Sequence, residues 1–283
     1  MRYAKGSIQL SASHDHPLLR QVLRCGFVTH DQLFAFLRRD CYERNRQSFD
    51  WRARRLVKHG LIVRRTAAGG KVVYSIGGSA ALLLQGLGEY CLIGPRRLDS
   101  GNGESSILHA VELNDIQLSL LRAGLGARWT AACEIRSQNG LTRYRYAKDY
   151  DAVVAVRVDS VERCFALEYE RSAKARKDYL AIADLLDQEK QVSHLLYLAA
   201  NHDVLSYLRG VFRPTPVSLW FGIVRDWHAQ LLSMPVVDAS SFLPQPLYEA
   251  LELPRFDLRA PEPASLPLFC LYIAFILSRF ALW

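Results

Sequence analysis

The order of apolar segments between residues 104 and 224 constrains this chain most. DAVVAV (151–156) and RCFALEYE (163–170) are β-rich and separated by a turn near Asp159, while SHLLYLAA (193–200) and VSLWFGIV (217–224) are short, continuous apolar runs. Amphipathic helical stretches lie between them, over about 173–189 and 202–212. Short apolar runs bounded by helices suit strands covered on both faces. A helix is predicted from Glu104 to Leu121, with Ile107, Val111, Ile116, Leu118, Leu120 and Leu121 on its apolar side. WTAACEIRS (129–137) and LTRYRY (141–146) are predicted to pair as a hairpin across Gln138–Gly140, and VSLWFGIV to be the last strand. Helix, three or four strands, helix, strand, helix, strand predicts an α/β sandwich with a mixed sheet.

Charge divides the 283 residues further. Residues 1–100 carry 17 Lys+Arg against 7 Asp+Glu, and residues 101–283 carry 19 against 21, so the net +8 is a basic module joined to a slightly acidic one. The basicity is mainly arginine, 29 Arg to 7 Lys, and the guanidinium fork suits phosphate oxygens and guanine edges. The six cysteines (25, 41, 91, 133, 164, 270) form no C-x-x-C pair, which argues against a disulfide framework or a cysteine zinc site and for a reduced, intracellular chain. Residues 1–26 lack the apolar core of a signal peptide.

Within the basic module, DHPLLRQVLRC (15–25) predicts a helix with Asp15 as cap and Leu18, Leu19, Val22 and Leu23 as its stripe. Thr29 with Gln32 predicts a capping box opening a second helix faced by Leu33, Phe34 and Leu37. A third helix is predicted over about 47–59, stopped by Gly60, then two short strands, LIVRR and KVVYSI, joined by a glycine-containing turn. Three helices and a β-hairpin are the order of a winged helix-turn-helix, and SAALLLQGLG (79–88) reads as a closing helix.

Ten basic and three acidic residues between 38 and 65 make Arg38, Arg39, Arg46, Arg52, Arg54, Arg55 and Lys58, with Arg64, Arg65 and Lys71 on the wing, the candidate contacts to double-stranded DNA. Arg52 and Arg55 are the expected groove-facing pair; Trp51, Leu56 and Val57 are expected in the core. The alternative is a winged helix used for protein contacts, its arginines a solvated face.

Three carboxylates mark the second module: Asp151 at a strand start, and Glu168 and Glu170 two apart, hence on one face of the next strand. Such a set is the oxygen-rich kind that Mg²⁺ prefers, unless these strand-end carboxylates are simply solvated. His109, alone on its helix, reads as a polar structural contact. No Walker loop, G-x-S-x-G elbow or H-E-x-x-H spacing occurs, so neither a nucleotide cofactor nor a zinc hydrolase is expected.

With VTHDQL (28–33), RRLVKHGLI (54–62), HAVELND (109–115), KDYDAVV (148–154) and ALEYERS (166–172) in this order, the stretch from about 16 to 225 resembles the replication-relaxation family of plasmids and other mobile elements. Its second module resembles the PD-(D/E)XK nuclease core. The resemblance implies an N-terminal winged helix-turn-helix followed by a mixed-sheet PD-(D/E)XK-like α/β sandwich. It implies a DNA-binding protein acting in replication control, relaxation or mobilisation, or gene regulation. It also implies an Mg²⁺ site at Asp151, Glu168 and Glu170 if the nuclease chemistry is retained. Two positions depart from the nuclease pattern: Tyr150 stands where a proline precedes the first acid, and Glu170 stands where the lysine falls. Arg171-Ser172-Ala173 replaces the family's Gly-Thr pair. Lys174 or Lys177 is then expected to supply the missing cation from the next helix. The alternatives are an Mg²⁺-dependent DNA endonuclease and a membrane-tethered adaptor.

The predicted divisions are 1–92 for the winged helix, 93–103 as linker, 104–233 for the nuclease-like domain, 234–264 as a Pro-rich connector, and 265–283 as an apolar terminal helix. Leu266 to Trp283 carries one charge, Arg279, so the tail either packs on the fold or anchors in an inner membrane. The expected location is otherwise the cytoplasm, with the nucleoid, and a homodimer on two-fold DNA is the oligomer this architecture admits.

Overall fold

A computed structural model describes residues 8–89, 103–241 and 243–256. The chain forms α1 (Asp15–Cys25), β1 (Val28–Thr29), α2 (His30–Arg39), α3 (Arg46–Lys58), β2 (Ile62–Thr66), β3 (Val72–Ile76) and α4 (Gly78–Gly86). These are followed by α5 (Gly103–Arg122), β4 (Gly126–Ala131), α6 (Ala132–Leu141), β5 (Ala152–Val158), β6 (Val161–Glu170), α7 (Arg176–Leu186), β7 (His194–Ala199), α8 (His202–Val211) and β8 (Ser218–Ile223). Last come α9 (Val224–Gln230), β9 (Pro235–Asp238), β10 (Gln245–Pro246) and α10 (Leu247–Ala250).

The first unit has a three-stranded antiparallel sheet, β1-β3-β2, backing α1, α2 and α3. The predicted capping box is present: the Gln32 N–H donates to Thr29 Oγ1 and the Thr29 N–H to Gln32 Oε1. Asp15 does not cap α1 but is its first residue; the N-cap position is His14, which makes no side-chain cap hydrogen bond. Asp15 is instead fully buried beneath α3. Gly60 ends the last turn of α3 at φ +68, as expected of a left-handed helix stop. Gly77 is required for a different reason: a Cβ there would lie 2.0 Å from the Gly60 carbonyl oxygen.

The second unit is a seven-stranded mixed sheet, β10-β9-β8-β7-β6-β5-β4. β4, β5 and β6 are an antiparallel meander, β6, β7 and β8 are parallel, and β9 and β10 return antiparallel. Alternate residues feed two cores. Val154, Phe165, Leu167 and Leu196 pack with Ile116 of α5 and Trp227 of α9; Val153, Ala166, Tyr197 and Phe221 pack with Tyr179 of α7 and Leu208 of α8. Helices on both faces explain the continuous apolar runs of β7.

Three expectations are corrected here. Residues 132–141 are helix α6, not the continuation of a strand, because the Glu134 carboxylate turns back to accept the Ala131 N–H at 2.7 Å and opens a helical turn. LTRYRY accordingly makes no hairpin. β8 is not the last strand: β9, β10 and α10 occupy the predicted connector, with Val236, Leu247, Ala250, Leu251 and Leu253 buried in the sheet core. Of the predicted linker 93–103, residues 93–102 lie outside the described residues and Gly103 opens α5; the tail at 265–283 also lies outside them. No helix among the described residues is long and apolar enough to cross a membrane.

α5 belongs to both units. Its Val111 and Ile107 pack against Val73 of the hairpin, while Ile116 and Leu120 enter the sheet core. Buried polar pins close the seam: Gln32 Nε2 donates to the Val111 carbonyl at 2.8 Å, and Asn114 Nδ2 to the Phe27 carbonyl at 2.8 Å. Buried amides leave a cost unless bonded, so these pairs fix the register of one unit on the other.

Candidate functional site

The sheet brings Asp151, Glu168 and Glu170 to the carboxyl end of β6, beside the crossover to α7. The β5–β6 register pairs Ala152 with Leu167, which puts Asp151 level with Glu168. Glu168 and Glu170, two apart, share the face toward α7, and Tyr169 between them points to α5. Asp151, just before β5, accepts the Tyr169 N–H on Oδ2 at 2.8 Å. His109 Nε2 lies 3.2 Å from the same oxygen and 3.1 Å from the Tyr169 carbonyl, so it carries a proton shared between two acceptors. His109 is therefore a bridge from α5 to the sheet end, and it lines, with Asp151, a cavity of about 200 Å³ at the seam beside Arg24 and Arg136.

Each glutamate has its own ammonium. Lys148 Nζ is 2.5 Å from Glu168 Oε1, with both side chains nearly buried. Lys174 Nζ is 2.8 Å from Glu170 Oε2, reaching it from the loop before α7 rather than from the helix itself. Lys177 does not: it is exposed on the first turn of α7 and contacts none of the three carboxylates. Lys148 was missed by the motif reading, although it opens KDYDAVV. Its position is set by Glu189, which accepts the Ala147 N–H at 2.8 Å and the Tyr150 hydroxyl at 2.7 Å, bracketing Lys148 from both sides. Tyr150 supplies that anchor and lies with its ring 5.2 Å from the ammonium.

Electrostatics separate the two level carboxyls. Burial pushes Asp151 up, but the hydrogen bond and charge of His109, the Tyr169 N–H and the charge of Lys148 outweigh it and hold it below the ordinary carboxylate range. Burial raises Glu168, and the neighbouring Asp151 charge adds to this; Lys148 offsets them only in part. His109 would be lowered by burial, yet Asp151 raises it above the usual imidazole value. One acid ionised beside one reluctant to ionise is an arrangement able to divide acid and base roles. Among the described residues, no three His, Cys, Asp or Glu side chains are grouped to hold a metal ion. The carboxylates are engaged by cations, and Mg²⁺ on Asp151 and Glu168 would require Lys148 to withdraw.

The basic residues of the first unit sort by exposure. Arg38, Arg39, Arg46, Arg54, Lys58, Arg64 and Lys71 are exposed, and Arg55 and Arg65 half-buried. Arg52 is buried, which reverses its expected role: its guanidinium donates to Glu43 at 2.6 Å and to Asp15 at 3.0 Å. Arg55 also turns to Asp15, at 2.5 Å. Trp51 is 57% exposed rather than in the core, under the Arg55 guanidinium at 4.9 Å from its ring. The outward face of α3 thus reads Gln47, Trp51, Arg54 and Lys58 at helical spacing. No family model, curated protein or solved structure matches the chain.

Proposed function

We propose that this chain is a DNA-binding protein of a plasmid or other mobile element. In this reading α1–α3 and the β2–β3 hairpin act as a winged helix-turn-helix, and the seven-stranded unit is a PD-(D/E)XK-like scaffold. The observation that carries the reading is the outward face of α3, where the exposed Trp51, Arg54 and Lys58 follow one another at helical spacing, together with the exposed Arg64 and Lys71 of the β2–β3 hairpin. Basic side chains on a helix and on a hairpin offer phosphate contacts from two elements, and Trp51 adds an exposed aromatic surface on the helix. The α5–β4–α6–β5–β6–α7–β7 order, and the resemblance of the quoted motifs, support the assignment of the second unit.

Duplex binding followed by fluorescence anisotropy at rising salt tests the reading. Affinity is expected to fall steeply with salt, and Arg54→Ala/Lys58→Ala to weaken it and lower the slope by about two. A salt-independent interaction, or no duplex binding at all, would sink it. The second reading, an Mg²⁺-dependent endonuclease, is favoured by the level pair Asp151 and Glu168 with Lys174 close by. Nicking of supercoiled plasmid with Mg²⁺, abolished in Glu168→Gln, is the outcome that supports it; intact plasmid under Mg²⁺ and Mn²⁺ refutes it.

A further inference from the structure

The cleft of about 610 Å³ between the β2–β3 hairpin, the starts of α2 and α3, and the second half of α5 is not part of the carboxylate site. Four cations line it. Arg46 is satisfied, at 2.6 Å from Asp31 and 3.2 Å from Asp50. Arg64, Lys71 and Arg122 are exposed to the cleft and have no ion-pair partner among the described residues. The acids on its wall are Asp31, taken by Arg46, and Asp115, which accepts a 2.8 Å hydrogen bond from Gln32 Nε2.

These cations come from positions far apart in sequence and from both units. They converge because α5 is pinned to the first unit by the buried Gln32–Val111 and Asn114–Phe27 hydrogen bonds. Tyr74 stands in the cleft wall directly across the strands from Arg64, and His30 fixes it, with Nδ1 2.9 Å from the Tyr74 hydroxyl and Nε2 2.8 Å from Asp50. Three cations against the one carboxylate of Asp115 that carries no ion pair leave the concave surface net positive, and such a surface on a rigid frame concentrates anions. Two guanidinium forks and an ammonium match the several acceptor oxygens of a phosphate group, and the volume takes a nucleotide-sized ligand.

We infer that this cleft binds the phosphate ester of a nucleotide, with Arg122 of α5 completing a site begun by Arg64 and Lys71. The inference extends the DNA-binding reading through the two hairpin residues it shares with it, and Arg122 separates the two. The phosphate belongs either to a bound DNA strand or to a free nucleotide.

The full chain and its Arg122→Ala and Arg64→Ala/Lys71→Ala variants are titrated with a fluorescent 20-base-pair duplex, adenosine 5′-monophosphate and adenosine. If the phosphate is DNA's, Arg122→Ala weakens the duplex about five- to tenfold and lowers the salt slope by about one, as a single lost phosphate contact does. If the source is a free nucleotide, the monophosphate binds, adenosine does not, and Arg122→Ala removes that binding with the duplex unchanged. Unaltered binding of every probe in both variants overturns the inference, as does equal binding of adenosine and its monophosphate, or no binding by the parent chain. Arg122 is exposed, so an unchanged urea midpoint is expected and separates lost binding from lost folding. Sensitivity to Arg122 but not to Arg54 and Lys58 would refute the α3 docking face while leaving the cleft standing.

Discussion

Arg52→Ala is expected to destabilise the first unit by about 3–5 kcal/mol, the usual cost of removing one member of a buried ion pair. The figure follows from what remains. Glu43, with a side chain 3% exposed, has Arg52 as its ion-pair partner at 2.6 Å and is left charged and buried. Asp15 is better placed, because it keeps Arg55 and the Ser11 N–H at 2.7 Å. The loss is therefore mainly Glu43's, and it is a large part of the 5–15 kcal/mol by which a domain is typically stable. Urea unfolding at pH 7, monitored by circular dichroism, reads it as a lowered midpoint at unchanged slope. The double variant Glu43→Leu/Arg52→Met should recover most of the loss, since a buried pair replaced by apolar groups is often neutral. An Arg52→Ala midpoint within about 1 kcal/mol of the parent, or a double variant no better than the single one, would refute the buried network. The same variant distinguishes the two roles of this arginine, because a residue that contacts DNA from a solvated face would change affinity and leave stability alone.

Three further outcomes are expected. Burial raises the Asp15 carboxyl, but the Ser11 N–H and the Arg55 and Arg52 guanidiniums more than reverse this, so its contribution is complete above about pH 4 and is lost as pH falls through its lower folded value; Asp15→Asn should flatten the acid limb of a stability–pH curve. His109, raised above its ordinary value despite burial because Asp151 faces it, stabilises fully below about pH 6.5 and loses that contribution as pH rises through its higher folded value; His109→Asn should remove this step, and an unchanged alkaline limb would contradict the bridge. Gly77→Ala should cost about 3 kcal/mol by forcing the Gly60 carbonyl away, read as a lower thermal midpoint, whereas Gly78→Ala, with open space around it, should not.

How much was legible varies with the range of the interaction. The Thr29–Gln32 box, the Gly60 stop and the turn at Asp159, which adopts φ +51, are signalled by residues within four positions of one another. The 129–137 segment was misread because its alternation fits a strand as well as a helix start, and one side chain, Glu134, decides between them. The phase of α3 was off for a longer-range reason. Trp51 looks like core and Arg52 like surface until Asp15 and Glu43, both charged, are seen inside the fold. The same holds at the carboxylates: Asp151, Glu168 and Glu170 were legible from strand periodicity, but Lys148 became a partner of Glu168 only through Glu189, 41 residues away.

Sequence alone determined much of the alternation of elements, the two differently charged modules and the shared face of Glu168 and Glu170, because periodicity and composition act locally and additively. Tertiary structure decided which charges are neutralised. It buried Arg52 on two acids, set Lys148 on Glu168, and left Arg64, Lys71 and Arg122 around one cleft with no ion-pair partner among the described residues. Charge pairing depends on distance and burial, which chain order does not encode until α5 is packed against both units.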